Sequence, residues 1–319
     1  MRVARFLEEA AEFDPVAVTI GNFDGVHIGH RQLLREVLRA AEEKGVQPAA
    51  LTFDPHPASI VAPQRAGRLL TTPAERCALM ARQGMEYVLV LPFTKEMSRW
   101  TPEQFVERVL VKALRARVVI VGDNFLFGHD QAGDTKVLAA LGDRFGFETR
   151  IVPPVRWRGR LVSSSGIRRA IEAGNVSLAA RFLERPYALE GDVVSGHGIG
   201  GKQTVPTLNL QTSAQVLPLS GVYITRTTDL DTPHRRWNSI TNVGMRPTFN
   251  GRELTIETFL LDPLDPPSPA RIRVEFLERV REERKFDTPE ALKTQILCDV
   301  ARTQRFFARL QKWAPRALK

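Results

Sequence analysis

The run Gly21-Asn22-Phe23-Asp24-Gly25-Val26-His27-Ile28-Gly29-His30 holds the residue types that phosphate chemistry uses. It lies between an apolar strand pattern, Val16–Ile20, and a helical pattern, Arg31–Lys44. His27 and His30 flank a short spacer and can both face the start of that helix. Unpaired N–H groups and the positive end of the helix dipole favour phosphate there. Gly29 lets a ligand approach the backbone closely. The chemistry this suits is nucleotidyl transfer. An anionic nucleophile attacks the α-phosphate of a nucleoside triphosphate, and pyrophosphate leaves. Positioning and charge stabilisation suffice, without a covalent intermediate. His27 and His30 would donate hydrogen bonds to the triphosphate. The competing reading is a glycine turn with two surface histidines; placement between strand and helix favours the reactive one.

The elements that must position these residues alternate. Strand patterns at Ala49–Phe53, Tyr87–Leu91, Val118–Val121 and Glu148–Val152 are separated by helical ones opening at Thr72-Pro73, at Thr101-Pro102 and near Thr135. Thr-Pro pairs supply the cap and the first-turn proline. Continuous apolar strands alternating with helices predict a parallel sheet covered on both faces. Ligands bind such sheets outside the carboxyl ends of the strands. Two more segments reach that edge: Phe53-Asp54-Pro55-His56-Pro57 and Gly122-Asp123-Asn124-Phe125-Leu126-Phe127-Gly128. Their aromatic and polar side chains (Asp54, His56, Asp123, Asn124 and Phe125) could hold a flat ring. Ser163-Ser164-Ser165-Gly166-Ile167-Arg168 opens another helix, where hydroxyls, N–H groups and Arg168 can grip phosphate. On local pattern alone, simple capping by serine is the better reading.

Short helices follow at Ser165–Ala173 and Ser177–Leu183, and beyond Pro186 the pattern changes. Alternating segments at Tyr187–Val194, Val222–Thr225, Ser239–Val243, Thr255–Leu261 and Arg271–Phe276 predict an antiparallel sheet or small barrel. A long helix from Pro289 to Trp313 closes the chain, and Leu261–Ala270 is a proline-rich loop. Expected domains are therefore 1–185 and 186–319. The run Gly196-His197-Gly198-Ile199-Gly200-Gly201-Lys202 could cradle phosphates, although it lacks a P-loop ending and by itself reads as a hairpin turn.

Composition sets the boundaries. The chain has 319 residues, long enough for two cores, and a formal net charge of +9. That charge raises the prior for an anionic partner. With no polybasic block, nucleotide phosphates outweigh nucleic acid. Two distant cysteines, Cys77 and Cys298, show no metal spacing and point to a reducing cytoplasm. No apolar run is long enough to span a bilayer, so no membrane partner is expected. Oligomeric state is left open.

Taken together, the segments resemble the bifunctional bacterial riboflavin kinase/FAD synthetase family. They are GNFDGVHIGH (Gly21–His30), TFDPHP (Thr52–Pro57), VGDNFLFG (Val121–Gly128) and SSSGIR (Ser163–Arg168). The likeness continues through PTLN (Pro206–Asn209), NVGMRPTF (Asn242–Phe249), IETFLLD (Ile256–Asp262) and VREERKFD (Val280–Asp287). The resemblance implies a Rossmann-like nucleotidyltransferase domain that makes FAD from FMN and ATP, and a β-barrel domain that makes FMN from riboflavin and ATP. Magnesium serves both reactions. It implies that Gly21, Asn22, Phe23, Asp24, His27, Gly29, His30, Ser163, Ser164 and Arg168 form the first ATP site. Asp54, His56, Asp123, Asn124 and Phe125 would line the flavin pocket. In the second half, Thr207 and Asn209 would hold magnesium with ATP, Gly198, Gly200 and Lys202 would contact ATP, and Glu257 would be the general base.

The chain departs from the family at Gly201-Lys202-Gln203-Thr204-Val205, where Gly-Arg and a Gly-Phe pair are usual. The proline-rich Asp265–Ala270 replaces a Tyr-Gly, and Gln131 stands in place of an Arg. An alternative therefore stays open: an FMN adenylyltransferase with a degenerate kinase domain.

Overall fold

The computed structural model describes residues 1–194, 207–212, 215–248 and 251–313. The chain divides into two compact units, Met1–Gly166 and Ile167–Lys319.

The first unit is built on six parallel strands: β1 (Arg2–Ala4), β2 (Val16–Ile20), β3 (Gln47–Phe53), β4 (Tyr87–Leu91), β5 (Val118–Gly122) and β6 (Glu148–Val152). Their order is β1-β4-β3-β2-β5-β6. The expected parallel sheet is present. Its helices are α1 (Leu7–Ala10), α2 (Ile28–Lys44), α3 (Pro57–Val61), α4 (Pro73–Ala81), α5 (Pro102–Phe105, running on as a π-helix to Ala113) and α6 (Thr135–Phe145).

Successive residues of the central strands point to opposite faces, and both faces are covered. Val16, Val18 and Ile20 pack with Phe105, Val109, Leu110 and Leu138. Ala17, Ala50, Val88 and Ile120 pack with Leu34, Val37, Leu79 and Met80. Each of the valine, leucine, isoleucine, methionine and phenylalanine side chains contributes about 1.5–3 kcal/mol by burial. The chain leaves β2 toward β3 on one side and returns with β5 on the other. The switch point of the sheet therefore opens at the carboxyl ends of β2 and β5. A small hairpin, β7 (Arg156–Trp157) with β8 (Arg160–Leu161), follows the sheet.

The second unit begins within α7 (Ser164–Glu172) and continues with α8 (Val176–Leu183). Its strands are β9 (Tyr187–Val194), β10 (Thr207–Gln211), β11 (Gly221–Asp229), β12 (Arg236–Thr248), β13 (Gly251–Leu260) and β14 (Arg271–Arg281). They close into an antiparallel barrel in the order β10-β13-β12-β11-β14-β9. Helix α9 (Pro289–Trp313) buries Phe307, over whose ring the Arg226 guanidinium lies.

The barrel interior is partly polar. Thr227, Ser239, Thr225, Thr241 and Thr258 are fully buried and linked by hydroxyl hydrogen bonds of 2.8–3.0 Å. Each hydroxyl has a partner, so their burial carries no orphan cost.

The sequence pattern sets the change of architecture at Arg185-Pro186, whereas the compact units part after Gly166. The reason is packing: α8 lies against β9 and β14, and Arg279 closes over Gly174, donating from Nη2 to the Ser220 carbonyl at 2.8 Å. Strands β1, β7, β8 and β10 are additions to the expected set.

Candidate active site

His27 caps α2. Its Nδ1 accepts a hydrogen bond from the His30 N–H at 3.3 Å, so in the neutral ring the proton sits on Nε2, a donor. The two imidazoles stack, with centroids 3.7 Å apart and planes 16° from parallel. Gly29 makes this possible. A Cβ there would stand 3.1 Å from His27 Cε1 and 3.2 Å from Nδ1. The glycine accommodates the histidine's own ring, where the sequence reading assigned it to ligand approach. His27 is buried; His30 is half-buried with its Nδ1 sealed from solvent and without a hydrogen-bond partner among the described residues. Burial first, then the positive charges of His27 and Arg76, hold the His30 imidazole well below its usual pKa. His30 is therefore held toward its neutral form beside the Nε2 donor of His27 at the amino end of α2.

The preceding loop is strained. Phe23 and Val26 have φ of 48° and 40°, and a β-branched residue there costs about 1–3 kcal/mol. Its surroundings hold it. Asp24 is buried and accepts from the Leu70 N–H at 2.9 Å and from the Thr71 N–H at 3.1 Å. The Thr71 hydroxyl receives the Gly25 N–H at 3.0 Å. Asp24 thus faces the N–H groups of Leu70 and Thr71. Thr52, at the end of β3, donates to the Asn22 carbonyl at 3.1 Å. Beneath it lies Arg76 of α4, buried, donating from Nη1 to Thr52 Oγ1 and to the Phe53 carbonyl, both at 3.1 Å.

Ser163 Oγ accepts from the Gly166 N–H at 3.2 Å, the capping role that local pattern favours. Ser164 Oγ donates to the Asp24 carbonyl at 2.9 Å, joining the serine segment to the histidine loop. Arg168 lies one turn farther along α7.

The two ring-facing loops meet the same edge after β3 and β5. His56 caps α3 by accepting the Ala58 N–H at 3.1 Å, and Asp54 is half-buried beside it. Asp123 and Asn124 are exposed, as is Leu126. Phe125 stacks on Phe127, centroids 5.3 Å apart, and packs against the core. Phe125 therefore anchors its loop, and Leu126 is the exposed apolar surface the sequence reading passed over. A concavity of about 500 Å³ lined by Lys44, Arg117, Asp143 and Glu148 lies at the amino ends of the strands; position, not size, marks the site.

In the barrel, Leu208, Leu210, Ile256 and Thr258 point inward, and the alternate residues Thr207, Asn209, Glu257 and Phe259 lie on the outer face. Asn209 pairs directly with Glu257, and Glu257 with Asn242 on its other side. Directly opposed residues bring their Cβ atoms to about 4.5–5.5 Å. The strands thus bring Asn209 and Glu257 together and add Asn242, which the sequence reading held only as part of a motif. Thr207 and Asn209 offer hard oxygens suited to magnesium. Among the described residues no group of three or more His, Cys, Asp or Glu could hold a metal. Such a cation would rest on few protein ligands and keep several waters. Gly198, Gly200 and Lys202 lie outside the described residues, as do Gly201–Val205.

An FAD synthetase family model matches residues 9–166 and a riboflavin kinase model matches residues 183–307. The bifunctional riboflavin kinase/FMN adenylyltransferase of Pseudomonas fluorescens is 36% identical over 89% of this chain and 90% of its own. The chain belongs to the bifunctional riboflavin kinase/FMN adenylyltransferase family. The Escherichia coli (strain K12) relative is 33% identical, over 91% of this chain and 92% of its own. A solved chain described as a macrolide-efflux protein from Streptococcus pneumoniae superposes with a TM-score of 0.84 at 28% identity, covering 95% of this chain and 98% of that one. Among the described residues no helix is long and apolar enough to cross a membrane. The kinase domain of the family is present here, which removes the adenylyltransferase-only alternative.

Proposed function

We propose that the histidine loop of the first unit is the FMN adenylylation site and that the Asn209–Glu257 face of the barrel is the riboflavin phosphorylation site. The enzyme phosphorylates riboflavin to FMN with ATP and adenylylates FMN to FAD with release of pyrophosphate. One observation carries the first assignment: His27 caps α2 in a tautomer that donates from Nε2, at the switch point of the sheet. In that reaction a phosphate oxygen of FMN attacks the α-phosphorus and the bond to the β-phosphate oxygen breaks. His27, His30 and the N–H groups of α2 hold the triphosphate and stabilise the charge that develops on it. Gly21, Asn22 and Phe23 shape the loop, with Ser163, Ser164 and Arg168 adding to the ATP contacts. Asp54, His56, Asp123, Asn124 and Phe125, joined by Leu126, line the flavin side. FMN phosphate is already anionic, so the step needs no general base.

At the barrel, Glu257 accepts the proton of the terminal ribityl hydroxyl as the hydroxyl oxygen attacks the γ-phosphorus, the bond from that phosphorus to the β-phosphate oxygen breaks and ADP leaves. Thr207 and Asn209 would hold magnesium, which when bound neutralises charge on the phosphates. Chelation of magnesium is expected to stop both reactions. Gly198, Gly200 and Lys202 are assigned to the ATP side. We assign catalysis to 1–185 and 186–319 respectively. Free Cys77 and Cys298 suit a reducing cytoplasm. The test is Glu257→Gln: FMN formation from riboflavin should fall by about 10²–10⁴-fold while FAD formation from supplied FMN persists. Kinase activity within twofold of the parent would remove Glu257 from the role.

A further inference from the structure

Arg76 is the largest fully buried side chain of the described residues. A buried guanidinium is costly unless charge and hydrogen bonds compensate it. Here compensation is incomplete. Nη1 is satisfied by Thr52 Oγ1 and the Phe53 carbonyl, yet Nε, sealed from solvent, has no acceptor among the described residues. Asp24 and Asp54 act on Arg76 through their fields, but no carboxylate among the described residues forms an ion pair with it. The Asp24 oxygens are turned to Leu70 and Thr71. Through Thr52, whose hydroxyl donates to the Asn22 carbonyl, the same guanidinium reaches the loop that carries His27 and His30.

We propose that Arg76 is a positioning residue for adenylyl transfer: it locks the ends of β2 and β3 into one platform beneath the histidine pair and leaves that platform a positive charge which the bound phosphates complete. The inference rests on the assignment of adenylylation to the histidine loop. Two effects follow. The fork of Nη1 bonds sets the height of Asn22 relative to Phe53, hence the spacing of the two loops that must hold triphosphate and flavin. The charge also keeps His30 neutral. The groups that set His30's titration are its own burial, His27 on the cap of α2 and Arg76 on α4, with the ring of Phe23 tilted against it at 5.1 Å. Around Arg76 stand Asp24, Asp54 and Cys77.

The test compares Arg76→Met, Arg76→Lys, Thr52→Val and His30→Asn in the full chain. FAD formation from FMN and ATP is followed from pH 5.5 to 9, and riboflavin kinase activity of each preparation reports folding of the second unit. Arg76→Met should lower adenylyl-transfer kcat/KM by about 100-fold, the cost of an ångström-scale misplacement. It should also move the acid limb of the kcat/KM profile to higher pH, because a cation that disfavours His30 protonation is gone. Arg76→Lys and Thr52→Val keep the charge and lose the link. They should lower kcat by roughly 10-fold with the acid limb unmoved. A merely structural arginine would lower the melting temperature and leave the acid limb of the surviving enzyme where it was; that result overturns the proposal. So does a folded Arg76→Met within threefold of the parent. If Arg76→Met does not fold, Thr52→Val at the parent rate overturns it instead. His30→Asn separates the levels: full activity there sinks the site assignment itself, whereas its loss alongside an unaffected Arg76→Met sinks only the role of Arg76.

Discussion

Replacing Gly29 by alanine separates two explanations for a glycine beside the histidines. Gly29 sits in the first turn of α2 with ordinary helical backbone, so alanine introduces no conformational strain. It would add helix propensity, up to about 1 kcal/mol. The added Cβ meets the His27 ring at 3.1 and 3.2 Å, and the ring must move away by a few tenths of an ångström. The hydrogen bond from His30 N–H to His27 Nδ1 is already 3.3 Å long, so that shift breaks it. Losing it costs about 0.5–1.5 kcal/mol, which offsets the propensity gain. Gly29→Ala should therefore melt within about 1 kcal/mol of the parent. Its adenylyl-transfer kcat should nevertheless fall roughly 10- to 100-fold, because the Nε2 donor is no longer aimed. Kinase activity of the same protein should not change. The assay is steady-state FAD formation with varied ATP. If kcat holds and only KM for ATP rises, the glycine serves ligand approach and the ring-packing argument is refuted.

Other expectations follow from the same geometry. Asp24→Ala leaves the buried Leu70 and Thr71 N–H groups without their acceptor and should cost about 3 kcal/mol. A calorimetric scan should show the melting transition of the first unit lower by roughly 10 °C. His30, held low by burial and by its cationic neighbours, titrates in the unfolded chain near 6.5 but below that in the folded one. Its contribution to stability is thus complete above about pH 6.5 and is lost as pH falls from there through the folded value. Denaturant midpoints of the parent and His30→Asn should converge above pH 7 and diverge below 6.5, with the parent losing more. Parallel curves down to pH 5 would contradict this.

Much of this architecture is legible in the residues. Val118–Val121 is apolar without interruption and Val16–Ile20 is broken only by Thr19, as suits strands buried on both faces, and the loops after them fall at the switch point. Helix α2 is announced by its apolar face and by Gly45 beyond its end. Less legible is whatever depends on a partner distant in sequence. Asp24 looks like a ligand group until Leu70 and Thr71 arrive to consume it. Arg76 precedes Leu79 and Met80 by three and four residues and so shares their buried face. That spacing was a signal, but an arginine on an apolar face is usually read as surface charge. Alternation places Thr225, Ser239 and Thr258 on the inner face beside Tyr223, Trp237 and Ile256, yet hydroxyl side chains there look out of place until barrel closure pairs them with one another. Strand β10 is short, and only its pairing with β9 and β13 makes it a strand.

The central claim is that two separate sites act in sequence, and product analysis by chromatography tests it most directly. The parent, a His27→Asn/His30→Asn double variant and Glu257→Gln would each be incubated with riboflavin, ATP and Mg²⁺, and separately with FMN, ATP and Mg²⁺. The account predicts FMN and FAD from the parent in the first mixture. The double variant should stop at FMN, and Glu257→Gln should make FAD only when FMN is supplied. A folded variant of either kind that loses both activities would contradict it.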